Sequence, residues 1–227
     1  MLIIVIKVKQ LPFVFPKRGG KRLGAGRPRT RPHPGLIGPG VPHLKRQEFP
    51  ARHPVHITQR LRPGVGHLRT QSRLQLIKRA LHAASGQFGM EVVHFSVQDN
   101  HLHLIVEAEG KDALSKSMKG LAVRIAVGLN RLAQKHGAVF ADRYHARILG
   151  SPRQVANTLR YVLQNYRKHA RETLPWSWED PFASSTSAPL REPAVWLLRV
   201  GWTRAKPPSR LSAIDTFLRA EPGRHLF

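Results

Sequence analysis

The stretch MEVVHFSVQDNHLHLIVE, Met90 to Glu107, decides the fold. Two apolar-rich runs flank a polar break, which reads as two strands around a turn at Gln98-Asp99 with Asn100 at its edge. Side chains in a strand alternate between faces. His101, His103 and Ile105 therefore share one face, while Leu102, Leu104 and Val106 share the other. The apolar set is expected to pack on helices, which leaves the histidine set on the open face of the sheet. A two-residue turn would set His94 opposite His103 and Ser96 opposite His101, gathering three imidazoles and a hydroxyl. Two neutral imidazoles at i and i+2 on a rigid strand can bind one divalent metal, given a third ligand from elsewhere. The alternative is a pair of half-exposed strand histidines facing nucleic acid. A third alternating histidine, as in histidine-triad hydrolases, is absent because Ile105 holds that place.

Outward from the hairpin, VHITQRL after Pro54 reads as a strand. SRLQLIKRALHAAS, Ser72 to Ser85, has Leu74, Ile77 and Leu81 at helical spacing and is closed by Gly86. Lys111 to Gln134 is a long helical pattern closed by Gly137. AVFADRYHARILG reads as a short hairpin or a strand with a loop. A third helix has a clear start: Ser151 at the N-cap, Pro152 at the first helical position and Gln154 completing a capping box. The order strand, helix, strand, strand, helix, strand, helix points to an α+β fold. It is an antiparallel sheet with helices on one face, ferredoxin-like in type.

In the third helix, SPRQVANTLRYVLQNYRKHA, the residues Val155, Leu159, Val162, Leu163 and Tyr166 form one apolar stripe. Tyr161 lies roughly 140° from the centre of that stripe and is not needed for packing. Asn165, one turn later, lies on nearly the same side, so the two can face a common site. The chain has three tyrosines, at 144, 161 and 166. Tyr166 belongs to the core stripe, and Tyr144 sits among Asp142, Arg143 and His145. Tyr161 is the candidate for a chemical role, or else an exposed aromatic that stacks on a base.

The chain of 227 residues carries a net charge of +25, a pI near 11.7 and no cysteine. Thiolate zinc sites and disulfide frameworks are excluded. The charge favours encounter with polyanions, nucleic acid first among them. Residues 1–50 carry +10, residues 51–170 carry +13 and residues 171–227 carry +2. No segment reaches the roughly 18 apolar residues of a membrane span, and the opening MLIIVIKVKQ lacks the features of a secretory signal. Residues 1–49 are expected to form a largely disordered arm rich in Gly, Pro and Arg. Within it Gly26-Arg27-Pro28-Arg29 resembles an AT-hook core, with Arg27 and Arg29 as candidate groove contacts; a generic polycationic arm is the other reading. Residues 50–170 make the central domain and 171–227 a small C-terminal extension, whose tryptophans 176, 178, 196 and 202 are expected to fill an accessory core.

DNHLHLIVE, followed ~60 residues later by LRYVLQNYRKH, resembles the HUH single-tyrosine transposases, the REP-associated tyrosine transposases among them. The resemblance covers roughly residues 50 to 170 and rests on Asn100, His101, Leu102, His103, Tyr161 and Asn165. Many relatives have Asn-Pro where this chain has Asn165-Tyr166. The resemblance implies cutting and rejoining of single-stranded DNA through a 5′-phosphotyrosine on Tyr161. It further implies a divalent metal, Mg²⁺ or Mn²⁺, held by His101, His103 and Asn165. Magnesium prefers oxygen ligands, so manganese is expected to bind better. The implied partner is single-stranded or hairpin DNA. His94, Lys111, Lys116 and Lys119 are candidate backbone contacts; for the lysines a solvated face is the other reading and the favoured one. The implied location is cytoplasmic and nucleoid-associated, with monomer and homodimer both open. The rival readings are a non-catalytic, domesticated DNA-binding protein on the same fold and an RNA-binding basic protein.

Overall fold

A computed structural model describes residues 46–166 and 178–205. The arm with Arg27 and Arg29, the opening apolar run, Trp176 and the candidate helix SAIDTFLRA lie outside the described residues. The elements are β1 (Val55–Arg60), α1 (Gln71–Ala84), β2 (Met90–Val97), β3 (His101–Ala108), α2 (Lys111–Ala133), β4 (His145–Ile148) and α3 (Pro152–Leu163). All strand pairs are antiparallel and the sheet order is β2-β3-β1-β4. This is the α+β, ferredoxin-like arrangement expected from the alternation of elements. Among the described residues no helix is long and apolar enough to cross a membrane.

The apolar face of the strands (Val55, Ile57, Val92, Leu102, Leu104, Val106) packs against Leu74, Ile77 and Leu81 of α1 and Leu114, Met118, Leu121, Ile125 and Leu129 of α2. Gly128 lets the two helices approach closely, since a Cβ there would stand 2.6 Å from a methyl of Leu76. Helix α2 ends at Ala133, within one residue of its pattern's end. Gln134 takes the left-handed conformation at φ 51°, and the Asn130 side chain donates to the Gly137 carbonyl to fix the turn beyond. Helix α3 starts as its sequence dictates. The Gln154 amide donates to Ser151 Oγ at 3.3 Å, and the Gln154 side chain accepts from Gly150 N at 2.7 Å.

Only α1 and α2 share one face. Helix α3 crosses the other, where Val155, Leu159 and Val162 pack on Val93, Ile105 and Leu149 in a second core. The histidine face is therefore half covered rather than open, because the strongly apolar stripe of α3 needs a surface to bury against. A bulge supplies part of that surface. The ladder pairs Val92 with Val106 and His94 with Ile105, so Val93 is an extra residue turned toward α3.

The C-terminal segment packs on the same two cores. Phe182 and Leu190 pack on the first, and Leu197, Leu198 and Trp202 on the second. Its backbone bonds to the outer edge of β2: Val97 N to Phe182 O, Ser184 N to Phe95 O and Leu190 N to Val93 O, at 2.8–3.0 Å. An exposed strand edge is an aggregation template, and this segment covers it. The tryptophans are divided rather than gathered: Trp178 lies against Tyr166, Trp202 against the second core, and Trp196 is largely exposed.

Candidate functional site

The turn of the decisive hairpin is Asp99-Asn100, one residue later than its composition suggested, because Gln98 N still bonds to His101 O at 2.9 Å. The slip moves the pairing by two positions, which preserves the faces. Ser96 now lies opposite His103, and His94 lies opposite Ile105. His94 is consequently buried (4% exposed) and hydrogen-bonded to Ser184 Oγ at 3.2 Å, away from the His101–His103 pair.

His101 and His103 are brought together with Asn165. The two Nε2 atoms are 3.0 Å apart, and the Asn165 side-chain amide is 3.2 Å from His103 Nε2. Asn165 is 2% exposed and lies just past the last residue of α3. Each imidazole is engaged through Nδ1 on its far side. His101 Nδ1–H donates to Asn100 Oδ1 at 2.8 Å. His103 Nδ1 is 3.2 Å from Thr58 Oγ1 and 3.1 Å from His56 Nε2. With Nδ1 carrying the proton, each Nε2 lone pair is left facing the other. Two ligands at right angles on one ion at ~2.1 Å stand about 3.0 Å apart, so the donor spacing fits a divalent cation. A half-turn of the Asn165 amide presents its oxygen to the same point. Among the described residues no three His, Cys, Asp or Glu side chains gather to hold a metal; the third candidate donor here is the Asn165 amide.

Burial pushes the His103 imidazole down to about 3, with His101 and His56 adding to the fall. Burial also pushes His56 to about 4, with His145 and Arg147 contributing. Both rings are thus neutral at physiological pH, the state a metal ligand and its hydrogen-bond partner need. The Tyr161 ring stands edge-on to His103 at 5.1 Å between centroids and to His56 at 6.0 Å. It is 42% exposed, so its phenol is accessible beside the three donors.

His56 and Thr58 escaped the sequence reading. The signal was present: in VHITQR the two alternate onto one face. Which face became clear only from the pairing of β1 with β3, in which Thr58 lies opposite His103 and His56 opposite Ile105. The candidate lysines fall elsewhere. Lys116 and Lys119 are exposed on α2, behind the sheet, and Lys111 is ion-paired with Glu48 at the far end of β3.

Buried His94 makes stability depend on pH. Burial lowers its folded value to about 4 from 6.5. The unfolded chain therefore binds the extra proton first, and the stability is whole above pH 6.5 and lost as pH falls toward 4. A shift of that size is worth on the order of 3 kcal/mol. Urea unfolding at pH 7.5 and 4.5 is expected to show His94→Gln losing about 2–3 kcal/mol less than the wild type across that interval. Equal losses would remove His94 from the acid response.

The βαββαβ sheet sets the His101–His103 pair beneath the Tyr161 ring and beside the Asn165 amide, the residues on which the transposase resemblance rested. The sequence model of the IS200-like transposases matches residues 54–165, and this part of the chain belongs to that family. The fold is similar to that of a REP-associated tyrosine transposase solved bound to a REP hairpin, with a TM-score of 0.50 and 17% identity over 63% of this chain and 82% of that one. A putative transposase from Deinococcus radiodurans R1 matches at a TM-score of 0.37 and 16% identity, over 59% of this chain and 97% of that one. No curated protein matches the chain.

Proposed function

We propose that the chain cuts and rejoins single-stranded DNA through a covalent bond to Tyr161, with a divalent cation held by His101, His103 and Asn165. The observation that carries this reading is the convergence of the two Nε2 atoms and the Asn165 amide beside the accessible Tyr161 ring. Tyr161 Oη attacks the scissile phosphorus, the bond from phosphorus to the 3′-oxygen breaks, and that oxygen leaves and takes up a proton. The product is a 5′-phosphotyrosine and a free 3′-hydroxyl. Attack by a 3′-hydroxyl reverses the step and needs no ATP, since phosphoester replaces phosphoester. A divalent cation held by His101, His103 and Asn165 would supply positive charge to the phosphate oxygens. Asn165 ties the end of α3 to His103, which sets the nucleophile helix relative to the metal ligands.

Labelled single-stranded oligonucleotides from the DNA flanking the gene, incubated with Mn²⁺ or Mg²⁺ and run on a denaturing gel, test this. The expected result is a protein–DNA adduct that chelation prevents, with mass spectrometry placing the nucleotide on the peptide containing Tyr161. Tight binding to the same strands without an adduct would favour a binding protein on the transposase fold.

The contact of His56 with His103 Nδ1 is testable by itself. A histidine ligand loses orientation and basicity when its outer hydrogen-bond partner is removed, typically at a cost of 10–100-fold in metal affinity. His56→Ala is expected to weaken Mn²⁺ binding by about that factor, read by electron paramagnetic resonance of free Mn²⁺ without DNA. Unchanged binding would reduce His56 to a packing residue.

A further inference from the structure

The sheet register arranges the histidine face as a lattice. One row across the strands runs Ser96, His103, Thr58, His145; the next runs His94, Ile105, His56, Arg147; at the turn end His101 lies opposite Arg60. Helix α3 covers Val93, Ile105 and Leu149. The rest of the face carries Arg60, His145 and Arg147, all exposed. Among the described residues neither Arg60 nor Arg147 is in an ion pair.

We propose that Arg60, His145 and Arg147 form the track on which the phosphates of a single DNA strand lie as it enters the site, in place of the α2 lysines. The proposal rests on the strand-cutting reading and assigns the path of its substrate. Arg60 flanks His101, and Arg147 flanks His56, which in turn lies 6.0 Å from the Tyr161 ring. The two guanidinium-bearing positions are ~14 Å apart along the β1 ladder, too far to share one phosphate, so each meets its own. His145 stands between them on the edge strand. A surface of this kind suits a single strand, since cationic grooves track its backbone. Lys116 and Lys119 offer the same charge on the opposite side of the sheet, where α2 buries its apolar stripe in the first core. A strand held there cannot reach Tyr161.

Equilibrium binding of the full chain to a labelled oligothymidylate, followed by anisotropy across a salt series in chelator, separates the two surfaces. Each phosphate neutralised on a single strand contributes about 0.7 to the slope of log affinity against log salt. The double variant Arg60→Gln, Arg147→Gln is expected to lower that slope by about 1.4, while Lys116→Gln, Lys119→Gln leaves it unchanged. Equal losses in both doubles, or a loss only in the lysine double, would overturn the proposal. So would an equal dependence on the two arginines for duplex DNA of the same length, which would mark a general polyanion surface. Binding without metal is independent of strand cutting. A failed track with an intact covalent adduct therefore leaves the cutting reading in place, and the reverse pattern leaves the track.

Discussion

Tyr161→Phe is expected to abolish the covalent adduct, lowering its rate of formation by at least about 10³-fold, the low end of what loss of a covalent nucleophile costs. Tyr144→Phe and Tyr166→Phe should both retain it. The three tyrosines differ in exposure and surroundings. Tyr144 is buried at 8% exposure, Arg46 lies 3.7 Å over its ring, and burial raises its phenol above the usual range. It can neither reach a phosphate nor ionise easily. Tyr166 is held between other side chains: the Arg69 guanidinium lies 3.6 Å over its ring, and the Trp178 ring is 5.9 Å away. Tyr161 is the most exposed of the three and stands beside His103. The phenylalanine variant keeps the ring against His103 and His56, so metal binding and fold should persist. An adduct that survives in Tyr161→Phe but not in Tyr144→Phe would sink the assignment.

Local pattern carried much of the fold and part of the site. The alternation in HLHLIV separated the histidine face from the core face, and the capping box at Ser151–Gln154 located helix α3. Angles around that helix separated Tyr161 from the apolar stripe. These are statements about neighbours within one element, and periodicity encodes them directly. The turn was misplaced because Gln98 and Asp99 are both compatible with a bend, while the choice depends on which backbone pair closes the ladder. The failure was harmless for faces and decisive for His94, which moved from opposite His103 to opposite Ile105.

What stayed illegible was set by long-range pairing. His56 could be placed on a strand face, but not beside His103 until β1 was known to lie next to β3. The covering of the histidine face by α3 required knowing that the first face was already filled by α1 and α2. Lys116 and Lys119 looked like DNA contacts on charge alone; which side of the sheet α2 occupies removed them from the neighbourhood of Tyr161. Most hidden was the C-terminal segment, whose tryptophans pointed to an accessory core but not to the edge of β2. Its attachment combines backbone bonds to β2, a buried ion pair and scattered apolar side chains on the two cores, none of which leaves a periodic trace.

That ion pair carries the other large expected effect. Arg69, in the loop before α1, donates two hydrogen bonds to the Asp180 carboxylate at 2.9 and 2.7 Å and a third to the Val97 carbonyl at 2.9 Å. Its guanidinium is flanked by the rings of Tyr166 and Phe182. The Asp180 side chain is 1% exposed and also accepts from Phe182 N. Truncating one partner of such a pair leaves a buried charge without its counterion, at a cost of about 3–5 kcal/mol. Asp180→Ala is therefore expected to lower the melting temperature by roughly 6–20 °C. The double variant Arg69→Met, Asp180→Leu should recover much of the loss, because apolar replacement of a buried pair is often near neutral. The two variants also separate stability from positioning. Tyr166 follows Asn165 directly, so a guanidinium stacked on Tyr166 helps to keep the Asn165 amide against His103. If this coupling operates, the double variant regains thermal stability but still binds Mn²⁺ more weakly than the wild type. If Mn²⁺ affinity returns with stability, Arg69 acts through the fold alone, and the C-terminal segment stabilises the site without orienting it.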